Sequence, residues 1–166
     1  TKHPKAIVEE LPEIYTDNFR DPKVFKDNNK YYCLIGAERK ENLGTIVYYE
    51  SDNLKDWTFK GEIKTSFFGN GFMWECPDYL KFDDKGVLIF SPQGLKAEGD
   101  KYKNIFQSGY LLGENIDFSN GEFKHGEFTE LDRGFDFYAP QTMTDDKNRR
   151  ILIGWMGLPE IDYPSD

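Results

Sequence analysis

The chain of 166 residues carries 21 Lys and Arg against 30 Asp and Glu, a formal net charge of −9. No basic stripe offsets that charge, so a phosphate backbone would be repelled by most of the surface and nucleic acid is excluded as a partner. The length suits one domain or part of one, and 14 Phe, 10 Tyr and 3 Trp, with turn residues spread throughout, point to an all-β protein.

Two cysteines, Cys33 and Cys76, make neither a disulfide framework nor a metal cluster, and their strand-like surroundings predict reduced, part-buried thiols. No apolar run is long enough for a membrane helix, and the first residues lack the apolar stretch of a signal peptide. No membrane association and a cytoplasmic location are therefore expected.

In chain order, residues 1–18 read as the end of a preceding unit. Residues 21–37 then form a first hairpin: a proline, a short strand, an Asp/Asn/Lys turn and an apolar strand. A second hairpin follows, with strands at 44–51 and 57–63 joined by the turn-rich 52–56. The same plan returns at 76–93, followed by strands at 108–114 and 121–128, and its first half returns again at 139–157. Each repeat opens on a proline, at Pro22, Pro77 and Pro140. Two hairpins per repeat make four strands, the size of a propeller blade. The expected division is a blade over 19–65, a blade over 72–128 and the start of another over 134–166. A β-sandwich offers similar strand spacing and stays open as an alternative.

Acids stand beside two of those prolines, in Arg20-Asp21-Pro22 and in Trp74-Glu75-Cys76-Pro77. In a propeller these positions start the innermost strands, so the two acids would converge on one axial hollow. Glycosidic cleavage needs such a pair, one carboxyl to protonate the departing oxygen and one carboxylate facing the cationic sugar. The plainer account of an acid beside a proline is a turn or strand-end cap. Arg20, Trp74, Tyr138 and Trp155 would supply the donors and aromatic walls of a carbohydrate pocket, whereas Phe19 and Phe72 read as packing between blades.

At these residues the chain resembles glycoside hydrolase family thirty-two, the β-fructofuranosidases. Phe19-Arg20-Asp21-Pro22-Lys23-Val24 matches that family's Arg-Asp-Pro motif, Met73-Trp74-Glu75-Cys76-Pro77-Asp78 its Glu-Cys-Pro motif, and residues 134–142 its Asp-Phe-Tyr-Ala stretch. Residues 150–160 look most like the bacterial sucrose-6-phosphate hydrolases. The resemblance implies a five-bladed propeller, represented here by about two and a half blades, and hydrolysis of sucrose, sucrose 6-phosphate or short fructans with retention of configuration. It also implies Glu75 as general acid and base, and Asp21, with Arg20 beside it, on the fructose hydroxyls. Asp132, Asp136, Tyr138 and Trp155 would line the pocket, although Arg133 stands where an aromatic residue is expected. Neither metal nor organic cofactor is implied. For a phosphorylated sugar, Arg20 or Lys23 could meet the phosphate.

The family's nucleophile is an Asp in an Asn-Asp-Pro-Asn-Gly motif, whereas the Asp-Pro here is Asp21-Pro22. The chain is therefore expected to be an internal part of the propeller, inactive alone and prone to self-association through open blade faces. Alternatives are a related five-bladed arabinan glycosidase, a fructosyltransferase, and a sugar-binding propeller without catalysis.

Overall fold

The computed structural model describes residues 6–160 and 162. They form two four-stranded antiparallel sheets and a two-stranded pair. The first sheet is β1 (Tyr15–Asp27), β2 (Lys30–Arg39), β3 (Leu43–Ser51) and β4 (Thr58–Glu62), and the second is β5 (Met73–Lys81), β6 (Gly86–Gln93), β7 (Gly109–Gly113) and β8 (Thr129–Glu130), each in sequential order. β9 (Tyr138–Thr144) pairs with β10 (Arg150–Trp155). The all-β reading holds, and no helix of the described residues is long and apolar enough to cross a membrane.

Local chemistry explains the meander. Asn28 and Asn29 link β1 to β2 with φ of 50° and 66°, the left-handed pair that a two-residue hairpin turn requires and that asparagine tolerates. β2 and β3 are buried almost end to end, which requires a continuous apolar run instead of alternation because both faces are covered.

Two boundaries differ from the sequence-based expectation. β1 begins at Tyr15, so Asp21 lies in the body of its strand instead of at its start. Of the expected end segments 1–18 and 134–166, residues 1–5, 161 and 163–166 lie outside the described residues. The fourth strand of the second sheet is Thr129–Glu130, not the stretch 121–128. That stretch first runs beside Lys64, just past the end of β4, with Lys64 N donating to Gly121 O at 2.8 Å and Phe123 N donating to Lys64 O at 3.0 Å, and then lies along β7, with Glu114 N donating to Lys124 O at 2.9 Å and Gly126 N donating to Leu112 O at 3.0 Å. Phe123 and Phe128 of this stretch are buried in the main core, where their apolar area stabilises its placement.

The main core lies where the two sheets meet, with Leu34, Ile46 and Tyr48 facing Trp74, Leu88, Phe90 and Leu111. Trp74 is fully buried and its Nε1 donates to Asn70 O at 2.7 Å. Gly36 makes the close approach feasible, because a Cβ there would stand 2.1 Å from Trp74 O. The consequence for function is that β5, which carries Glu75, is seated directly on β2.

Candidate active site

The three inner strands β1, β5 and β9 share one irregularity. Between Arg20 and Lys23 the partner strand advances only from Gly36 to Leu34; between Glu75 and Asp78 it moves from Ser91 to Ile89; between Tyr138 and Gln141, from Trp155 to Ile153. Each is a β-bulge, with one extra residue on the inner strand. The residue before each proline takes a positive φ, 63° at Asp21, 51° at Cys76 and 49° at Ala139. In an unbulged strand, residues three apart point to opposite faces. The bulge absorbs one residue, so the side chains two before and one after each proline are brought to the same face.

Two sets of side chains result. The upper set is Arg20, Glu75 and Tyr138. Arg20 Nη2 and Nε reach Glu75 Oε1 at 2.6 and 2.7 Å, and the Tyr138 hydroxyl donates to Glu75 Oε2. Gln93 Nε2, at the end of β6, donates to the same Oε2 at 2.8 Å. The Glu75 side chain is 13% exposed, so this carboxylate is held in one orientation yet open on one side. Burial, and next the bond to Glu75, push the Tyr138 phenol far above its ordinary value, which keeps it a neutral donor. Arg20 is itself oriented by Asn18 Oδ1, which accepts from Nη1 at 2.7 Å.

Asp21 sits beside this cluster. Its Oδ2 accepts from the backbone N of Cys76 at 3.1 Å and from the Cys76 thiol at 3.5 Å. Burial, then the Asp21 charge, push that thiol up to about 12, so Cys76 is a proton-bearing donor to Asp21 and not a nucleophile. Two acids from distant parts of the sequence thus meet at one place, with Arg20 and Asp21 adjacent on β1 and Glu75 and Cys76 adjacent on β5.

The lower set is Lys23, Asp78 and Gln141. Lys23 Nζ lies 3.1 Å from Asp78 Oδ2, 3.1 Å from Gln141 Oε1 and 2.7 Å from Thr142 O. Those partners occupy the ammonium's donors, so Lys23 is committed within the fold and unavailable to a phosphate, contrary to the expectation that it could serve one.

The remaining expected pocket residues are not joined to Glu75 by any hydrogen bond among the described residues. Asp132 is exposed and closes its own turn, its Oδ1 accepting from Gly134 N at 2.8 Å. Asp136 is half-buried with φ 59°. Trp155 pairs across from Tyr138 and is 49% exposed. Phe72 packs as expected between units, in a cluster with Phe106 of the second unit and Tyr138 of β9, whereas Phe19 packs within its own sheet against Tyr15 and not between blades. Gln93, Asn18 and the lower set were missed from sequence. For Gln93 a signal existed, since a polar amide ends a mostly apolar strand that pairs with the Glu75 segment. Among the described residues no group of three His, Cys, Asp or Glu is arranged to hold a metal ion.

Residues 1–166 match the Glycosyl hydrolases family 32 N-terminal domain. The chain belongs to this family. Among family 32 relatives, a sucrose-6-phosphate hydrolase of Staphylococcus xylosus is 49% identical over 99% of this chain and 33% of its own length. The structure of the sucrose-6-phosphate hydrolase from Lactobacillus gasseri superimposes with a TM-score of 0.89 at 38% identity, over 99% of this chain and 34% of that one. A mutant of the Bombyx mori GH32 beta-fructofuranosidase BmSUC1 in complex with sucrose gives 0.85 at 38% identity, over 97% and 34%. The family 32 chain described here thus spans about a third of the length of these relatives, and its two four-stranded sheets and extra pair match part of the family's five-bladed propeller.

Proposed function

We propose that the protein to which this chain contributes is a retaining β-fructofuranosidase acting on sucrose or sucrose 6-phosphate. The observation that carries the reading is the convergence of four donor atoms, from Arg20, Gln93 and Tyr138, on the Glu75 carboxylate beside Asp21. A general acid must deliver its proton along one direction, and a carboxyl held this way is aimed before substrate arrives. The names of the relatives, sucrose-6-phosphate hydrolases, and the sucrose held by the silkworm enzyme support the substrate class.

In the proposed reaction a carboxylate outside this chain attacks the anomeric carbon of fructose, and Glu75 gives its proton to the glycosidic oxygen as the bond to glucose breaks. Water then displaces the covalent fructosyl group, with Glu75 taking the water's proton. Asp21 holds fructose hydroxyls and faces the positive charge that develops on the ring. The chain by itself lacks the attacking carboxylate and so does not turn over.

The test is Glu75→Gln in the full-length parent, with fructose release from both sugars measured. The variant should lose roughly 10²–10⁴ in rate, as expected for a missing general acid, while still binding sucrose. The purified chain alone should release no fructose. Wild-type turnover by the variant, or clear hydrolysis by the isolated chain, would overturn the assignment.

A further inference from the structure

Only the upper of the two side-chain sets belongs to the proposed chemistry. The lower set is as closely built. Lys23 comes from β1, Asp78 from β5, and Gln141 and Thr142 from β9, so one ammonium group joins all three inner strands. Asp78 is 1% exposed, and besides Lys23 its Oδ2 accepts from Thr142 N at 2.6 Å and Thr142 Oγ1 at 2.7 Å. Gln141 returns the contact, its Nε2 donating to Cys76 O at 2.9 Å, the carbonyl of the residue after Glu75.

The two sets are mechanically linked. Each pair of members, Arg20 with Lys23, Glu75 with Asp78, Tyr138 with Gln141, spans one bulge and one proline. Proline fixes its own φ and restricts the residue before it, so a shift of the lower side chain is passed to the upper one with little slack. The three inner strands do not hydrogen-bond to one another through their backbones, since they belong to different sheets. Their relative height is therefore set by side chains, and the upper set includes a carboxylate that must stay free to exchange a proton. The lower set has no such constraint.

We propose that Lys23, acting through Asp78, Gln141 and Thr142, is a positioning residue that sets the relative height of the three inner strands and so aims Glu75 at its substrate. This rests on the reading of Glu75 as acid and base. It predicts a defect in the chemical step without a defect in sugar binding, because the alignment of one proton donor changes while the other contacts to sugar remain.

The experiment uses the full-length parent, with Lys23→Met, the double variant Lys23→Met/Asp78→Asn, and Glu75→Gln as reference. The double variant guards against misfolding, since removing only the ammonium strands a buried carboxylate, whereas Asn can still accept from Thr142. Rates are normalised to the folded fraction from urea unfolding. A folded Lys23 variant should lose about 10-fold to 10²-fold in kcat for sucrose, the scale of a misplacement near 1 Å, with KM changed less than about threefold. Unchanged kcat, or a loss confined to KM, overturns the inference while a dead Glu75→Gln leaves the catalytic reading standing. Failure of both Lys23 variants to fold also overturns it, making Lys23 a stability residue only. An active Glu75→Gln instead brings down the catalytic reading itself.

Discussion

At the scale of single residues, the site is governed by what burial does to proton-bearing groups. Cys33 and Cys76 are both free thiols, and burial moves them from an ordinary 9.0 up to about 11 and about 12. Because their folded values lie above their unfolded ones, the fold retains protons that the unfolded chain releases. Their contribution to stability is complete below about pH 9 and is lost as pH climbs towards those folded values. The urea midpoint of the chain should thus fall between about pH 8 and pH 10.5, and the fall should be smaller in a Cys33→Ala/Cys76→Ala variant; an identical pH dependence would refute the assignment. The residues flanking the prolines were legible in the sequence because an acid beside a repeated proline stands out without any structure. Asn18 was not, and Gln93 only as a polar residue ending a mostly apolar strand. Their roles depend on partners reached through folding, Glu75 for Gln93 and Arg20 for Asn18. Asp132 shows the converse, as a motif position whose carboxylate the fold turns back on its own loop.

At the scale of elements, the bulge before each proline is the device that makes the site. Three successive inner strands place Asp21, Cys76 and Ala139 in the left-handed region, a conformation that disfavours L-residues and that persists only where surrounding structure holds it. Here the pairing of β1 with β2, β5 with β6 and β9 with β10 on both sides of each bulge does so. The repeat of the proline was visible in the sequence; the added residue in the ladder was not, because register is decided by the partner strand. Seating of β5 on β2 is equally dependent on a partner. Gly36→Ala should push its Cβ into Trp74 O and cost about 1–3 kcal/mol, the usual range for overpacking. Urea unfolding of the chain measures this, and an unchanged midpoint would show that β5 can back away freely.

At the scale of the whole molecule, apolar side chains remain uncovered on the β9–β10 pair, where Ile153 is 61% and Met143 55% exposed, and on the first sheet, where Val24 is 43% exposed. Uncovered apolar groups on unpaired strand edges favour association. The isolated chain should elute from a sizing column ahead of a monomer at high concentration, and Ile153→Lys should move it towards the monomer position. A wild-type chain that stays monomeric throughout would count against this. The sequence by itself determined the family, the four-stranded repeat and the two acids beside proline, because those signals are local: residue type, spacing and turn chemistry within one hairpin. Only the tertiary structure decided that Glu75 is gripped from three sides, that Lys23 is consumed by Asp78, Gln141 and Thr142, and that residues 121–128 bridge between Lys64 and β7. Each of those outcomes depends on distances between groups far apart in the chain, which are fixed only when the sheets pack and the bulges choose a register.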